Sequence, residues 1–321
     1  MTRPAGVARG RRGMVLLVVL FFIVLLAVIV TQFQFTMKIE RRIARYRADS
    51  LAAAYTLRSA VELTRLAIAA DVPVSPPDAL AAAPGTAAPP PMADAPADGP
   101  LPSGALPASI GLADAAGHLD LSRLVRPDGT PDPDIQRALE NLITGLGGDP
   151  GLVENIIDFI DPDDKGTRET EACLNRPLQN ITELALVPGL DRELLRPAPG
   201  PDGTARPGLL DLLSLYGQGR INVNTAHAEV LYALLANPAF EPAVAAIIEQ
   251  RRETPFTSLQ EVFLVAGAAP GMFGNLEKQL VFKSTVFIAT LTAREGTAVR
   301  TAIAVFERGA KEVGMLLYFE E

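Results

Sequence analysis

Cysteine and histidine are nearly missing from this sequence of 321 residues. The lone cysteine, Cys173, excludes an internal disulfide and any cysteine-based zinc cluster. Two histidines, His118 and His227, are too few for a histidine-rich metal site. Basic residues are outnumbered, 29 Lys+Arg against 37 Asp+Glu, for a net charge of -8. Nucleic acid is therefore not expected as the main partner, because phosphate contact needs a basic surface. Charged residues reach only 21% against 48% hydrophobic, which directs attention to a membrane segment. His118 has no acid–nucleophile pattern around it and reads as a solvent-facing strand residue. Cys173, with no histidine near it, reads as a small apolar plug rather than a nucleophile. These scarcities point away from an enzyme.

What is present begins with an unbroken apolar run, Met14 to Val30, and no charge appears before Lys38. A membrane-spanning helix needs about 20 residues at 1.5 Å each, so this segment can span. A cleaved secretory signal has a shorter apolar region and a small-x-small site, which Thr31-Gln32-Phe33 is not. Arg3, Arg9, Arg11 and Arg12 precede the run and Lys38, Arg41, Arg42, Arg45 and Arg47 follow it, so charge alone leaves the orientation open. Ile39, Ile43, Tyr46, Ala53, Leu57, Val61, Thr64 and Ile68 recur at helical spacing up to the Val72-Pro73 break. The spacing predicts one helix over 14–70, roughly 85 Å long, half of it outside the lipid.

Residues 71–109 hold 11 prolines and no Lys or Arg, and read as a disordered or extended linker. A short strand is expected around Gly117 to Leu121, in a region running 110–130. Residues 131–275 then repeat internally. Pro177 to Gly189 aligns with Pro255 to Gly267 at an offset of 78, and Leu152 to Asp158 with Ala243 to Glu249 at an offset of 91. Each copy (about 134–190 and 222–268) reads as two short helices around a tight connection, then a third helix capped by Asn180 or Ser258. The extra loop in the first copy is acidic: Asp158, Asp161, Asp163, Asp164, Glu169 and Glu171 against Lys165 and Arg168. It is either a solvated loop or an oxygen-only cation site, for which Ca²⁺ is favoured. From 276 to 321 alternation predicts three strands of an antiparallel sheet (281–290, 298–306 and 315–319), covered by the emergent helix around Ile43 to Val61.

Three resemblances attach to these motifs. Arg11-Arg12-Gly13 before Met14-Val15-Leu16-Leu17 resembles the leader junction of type IV pilins and type II secretion pseudopilins. It implies cleavage between Gly13 and Met14 by a prepilin peptidase, methylation of the new terminus, and a leader spanning 1–13. The fifth mature position, a glutamate in most of those proteins, is Val18, as in one branch that lacks the acid. The repeats resemble helix-hairpin-helix modules, including DNA-binding ones, so a membrane-anchored DNA-binding or uptake protein is the alternative reading. It is disfavoured because 236–240 carry neither glycine nor a basic residue.

Taken with Asp158-Phe159-Ile160-Asp161-Pro162-Asp163, Asn175-Arg176-Pro177-Leu178, Ile221 to Ala226 and Pro255-Phe256, the whole chain resembles the minor pseudopilin K family of type II secretion. The resemblance implies an α+β, pilin-like fold with a long N-terminal transmembrane helix, a C-terminal antiparallel sheet and a large inserted all-helical domain. It implies a non-catalytic, single-pass protein of the bacterial inner membrane with a periplasmic C-terminal domain. Its partners would be minor pseudopilins I and J, at the tip of the secretion pseudopilus, with no nucleic acid. Structural calcium is implied as well, at Asp161, Asp163, Asp164 and Glu171. Loss of the leader leaves 25 basic against 37 acidic residues, a net charge of -12.

Overall fold

Met14 to Ala69 carry no proline and, apart from the polar breaks at Thr31 to Thr36, little that would end a helix, and the computed structural model forms one helix, α1 (Arg11–Ala69). The described residues are 11–70, 108–162, 166, 170, 173–199, 205–235, 238–274, 276–309 and 312–320. The 71–107 part of the proline-rich linker and leader residues 1–10 lie outside them. The head is a sheet of four antiparallel strands: β1 (Ala108–Asp114), β2 (Val286–Glu295), β3 (Ala298–Arg308) and β4 (Val313–Glu320), neighbours in that order. β1 pairs with β2 from Ala108↔Ala293 to Asp114↔Phe287. The chain thus leaves the sheet at the end of β1 and returns beside it at the start of β2, so the excursion spans 115–285, wider than the 131–275 read from composition.

One face of the sheet is covered by the outer half of α1. Ala53, Leu57, Ala60, Val61, Thr64 and Ile68 are buried there against Phe287, Leu291 and Phe306 and against Ala289, Ala293, Ala302 and Ala304. Alanines on the strands let the helix lie close to the sheet, and Leu57 and Phe306 fill what remains. The expected cover was set too high on the helix. Ile43 and Tyr46 are 46% and 55% exposed, and the sheet first holds α1 at Asp49, which accepts hydrogen bonds from Thr297.

The excursion has its own core, which includes Leu139, Leu142, Phe159, Leu184, Val230, Val244, Phe256 and Val262. Its main helices are α2 (Pro133–Gly145), α3 (Leu152–Ile160), α4 (Ala228–Leu235), α5 (Glu241–Glu253) and α6 (Leu259–Ala266). α2 starts at Pro133 because the Asp132 carboxylate caps the amides of Asp134 and Ile135. The two copies agree in atomic detail at the 78-residue offset. Asn180 and Ser258 each accept a capping amide, and Glu183 and Glu261 each reach back to the amide of Gln179 or Thr257. Gly189 and Gly267 both take positive φ, 84° and 62°, which glycine adopts freely; Gly267 caps the end of α6, and Gly189 lies in the turn from Val187 to Leu190. The copies differ in the helix itself, a 3₁₀ turn over Ile181–Leu186 but α-helix in α6. Pro188 explains it: the ring bars residue 187 from the α region and removes an amide, whereas Ala266 does neither.

Two strand expectations are corrected. The strand placed at Gly117 to Leu121 is a 3₁₀ turn, Ala115–Gly117, and a two-residue bridge, Leu119–Asp120; the true strand is β1, one step earlier. The strand expected from Val281 begins at Val286. Leu280 and Val281 pair in parallel with Ile221 and Asn222 instead, and Ser284 turns inward.

Candidate functional site

Where the excursion meets the sheet, a buried carboxylate gathers four donors from three parts of the chain. Asp114 ends β1, and its Oδ1 accepts from the Ala116 amide at 2.9 Å. Its Oδ2 accepts from Asn222 Nδ2 at 2.9 Å and from the hydroxyls of Thr225 and Ser284. Asn222 Nδ2 also donates to Ser284 Oγ at 2.7 Å. All four side chains are buried. Partners of this kind are what keep an ionised carboxylate tolerable out of water. Gly117 belongs to the same joint, because a Cβ on it would stand 2.7 Å from the Thr225 carbonyl oxygen. That close approach lets the Gly117 carbonyl accept from the His227 amide at 3.0 Å.

The segment Ile221 to Ala226 is the keystone of this joint. The Asn222 carbonyl accepts from the amides of Thr225 and Ala226, and the Val223 amide donates to the Val281 carbonyl. The Asn224 side chain clasps Phe256 in both directions, Nδ2 to its carbonyl at 2.9 Å and Oδ1 from its amide at 2.7 Å. Buried Arg251 donates Nη1 to the Val223 carbonyl at 2.8 Å. The motifs singled out in sequence, Ile221 to Ala226 and Pro255-Phe256, are therefore one structural unit. Nothing in them delivers a proton or an electron; their chemistry is to hold.

His118 is not the solvent-facing strand residue expected. It follows the 3₁₀ turn, its Nδ1 lies 2.8 Å from the Asp114 carbonyl, and its ring packs on His227 with centroids 5.1 Å apart. Burial holds its pKa below 6.5, against the opposing pull of the Asp114 carbonyl and the charges of Asp114 and Asp211. The folded state therefore favours the neutral ring. Above pH 6.5 both states are neutral; below it the unfolded chain takes up the proton first, so stability declines as pH falls. His118→Gln is expected to flatten that decline, measured as the thermal midpoint between about pH 7 and pH 5.

Of the acidic-loop residues, Asp161 is described and buried, as is Asp158. Asp163, Asp164 and Glu171 lie outside the described residues. Gly166 passes so near Asp158 that a Cβ would overlap its carboxylate. Leu174 and Asn175 close the loop by donating their amides to the Phe159 carbonyl. Asn175 takes φ 47°, a left-handed conformation that asparagine tolerates better than most residues. Arg176 then pairs with Glu183 at 3.0 Å and holds its carboxyl below the usual range. Among the described residues no group of three metal-ligating side chains forms. The two buried carboxylates, Asp158 and Asp161, are hard oxygen donors of the kind that suits Ca²⁺. Cys173 is half-buried and packs against the helical core.

Two features escaped the sequence reading. The glycine hairpin before α3 has Arg192, Arg196 and Arg206 beside it, brought from distant positions, but Asp149, Asp191 and Glu193 share the same cleft and balance them. Beyond the Ala116 amide that it caps, the Asp114 joint left no local signal, since its side-chain partners lie 108 to 170 positions away. At the other end of the chain, Met14 and Val18 lie on an apolar stretch of α1 that is exposed throughout, and Gly13 is in the same helix. This is the one described helix long and apolar enough to cross a membrane.

The comparisons follow this geometry. Residues 221–283, which run from the keystone segment to the return toward the sheet, match the family model described as Type II secretion system (T2SS), protein K. A chain in the crystal structure of the GspK-GspI-GspJ complex from the enterotoxigenic Escherichia coli Type 2 Secretion System aligns with TM-score 0.56 and 19% identity. The alignment covers 88% of this chain and 98% of that one. At such identity the likeness is one of fold. No curated protein matches the chain.

The class so defined is the pilin-like α+β fold, with a long apolar N-terminal helix and an antiparallel sheet. Within that class, residues 221–283 resemble protein K of the type II secretion system in sequence, and the chain of the GspK-GspI-GspJ complex resembles the whole in fold.

Proposed function

We propose that this protein caps the tip of the type II secretion pseudopilus and initiates its assembly with minor pseudopilins I and J, as a structural rather than a catalytic component. The observation that carries this reading is the excursion of 115–285, a helical body with its own core fixed at one end of a pilin-like sheet. A head enlarged in this way obstructs stacking of a further subunit above it. Val18 supports the same placement. In related fibres a glutamate at that position pairs with the terminal amine of the next subunit, and valine offers no such partner.

In this reading α1 anchors the protein in the inner membrane, with the head in the periplasm. A prepilin peptidase cuts between Gly13 and Met14, and the new terminus is methylated. The acidic loop holds structural Ca²⁺ through Asp161, Asp163, Asp164 and Glu171, joined by Asp158, and the ion would neutralise carboxylates that otherwise repel one another. The test is co-purification of the full chain with pseudopilins I and J, with and without a calcium chelator. A ternary complex that weakens on chelation is expected. Failure to associate with either pseudopilin sinks the tip reading, and association indifferent to the chelator sinks the calcium.

A further inference from the structure

Between its uncharged run and the sheet, α1 crosses a stretch that the head does not cover. Every residue from 38 to 48 is exposed, and the first to be held is Asp49. Lys38, Arg41, Arg42 and Arg45 fall at i, i+3, i+4 and i+7 and so share one face. Glu40 points to the opposite side with Arg47, where the two cancel. Among the described residues, none of these five cations has a side-chain hydrogen-bond or ion-pair partner. Several cations elsewhere are paired, Arg65 with Glu62, Arg126 with Asp132, Arg176 with Glu183, Arg252 with Glu249 and Arg300 with Glu320. Others such as Arg220 and Arg294 stand alone, but among the described residues no other unpaired cations are grouped on one helix face in this way. The unpaired face borders a recess of about 950 Å³ that also takes in Tyr46 and Arg47 and ends at Asp49 and Thr297, where Asp49 is engaged by Thr297.

We propose that this stripe seats anionic phospholipid headgroups of the leaflet from which α1 emerges. Charge complementarity argues for that occupant. The chain carries a net charge of -8, so an anionic leaflet repels most of it, and the four cations stand where the helix must pass the headgroups. Arg and Lys stems are long enough to reach back toward phosphate from the next two turns, within the distance over which the surface potential persists. Tyr46 adds an aromatic side chain of the kind favoured at membrane interfaces. The stripe thereby retains the subunit at the bilayer. The inference rests on α1 as a membrane span and not on the tip placement or on any pseudopilin partner.

The test uses the full chain reconstituted into nanodiscs with a minority of phosphatidylglycerol in phosphatidylethanolamine, extracted gently and weighed by native mass spectrometry with its retained lipid. Retained phosphatidylglycerol is expected to exceed its share of the bilayer, with preference falling about fivefold for each stripe cation removed. The triple variant Arg41→Gln, Arg42→Gln, Arg45→Gln returns the ratio to that of the bilayer, whereas Arg47→Gln, at the border of the recess and beside Glu40 round the helix, keeps most of the enrichment. A wild-type ratio equal to the bilayer overturns the proposal without any variant. So does a triple variant as enriched as the wild type, or Arg47→Gln losing as much as the triple. Cross-linking of the stripe to an acidic protein, with lipid at the bilayer ratio, assigns it to a protein partner instead.

Discussion

Asp114→Ala is expected to lower the unfolding free energy by about 3–5 kcal/mol, read from urea unfolding of the full chain in detergent. The methyl group removes one acceptor set and strands four donors: the Ala116 amide, Asn222 Nδ2 and the hydroxyls of Thr225 and Ser284. These groups are buried, so water reaches them only by opening the joint. An unsatisfied buried donor costs about 1–3 kcal/mol, and the side chains can regain part of that among themselves, as Asn222 already does with Ser284. Asp114→Asn is the sharper probe. Its amide keeps one acceptor oxygen but turns an NH₂ toward donors, whichever way it flips, and should cost about 1–3 kcal/mol. A loss below about 1 kcal/mol for the alanine variant would mean that the carboxylate holds nothing together.

That joint marks the limit of what the residues disclose in order. α1 was legible because its apolar run and its three-and-four spacing are local properties of the chain. The paired repeats were legible for the same reason: Asn180 and Ser258 cap, and Glu183 and Glu261 reach back, within five residues of themselves. β1 was legible only as a strand region starting at 110, because Ala108 to Asp114 continues the alanine-rich composition of the linker and only Ile110 and Leu112 mark the strand itself. The exposed state of Ile43 and Tyr46 was hidden, since periodicity reports a face of a helix and not where along it the sheet begins. Asp114 reads in sequence as an ordinary acid after a loop. Only the return of the chain at Val286 surrounds it with Asn222, Thr225 and Ser284, and that is a property of topology.

The same topology leads to the second large effect, because the two cores are separate and meet through the joint and a small cluster beside it, Ala115 and Tyr216 against Val286, Ile288 and Val305. Leu57 is fully buried between α1 and the sheet, and Leu57→Ala is expected to cost about 3–5 kcal/mol, the transfer term plus a cavity that the flat, alanine-lined strands cannot collapse to fill. Phe159 is as deeply buried in the helical core, and Phe159→Ala is expected to cost about as much. What distinguishes them is where protection is lost. Hydrogen exchange should show amides of β2 and β3 opening in Leu57→Ala while α2 and α3 stay protected, with the reverse pattern in Phe159→Ala. Asp114→Ala, which weakens neither core directly, should leave both patterns near wild type and raise exchange at Ala116 and along Val223 to Ala226. Uniform loss of protection in all three variants would mean that sheet and helical body unfold as one unit. The carboxylate would then be one more core contact rather than the joint between two.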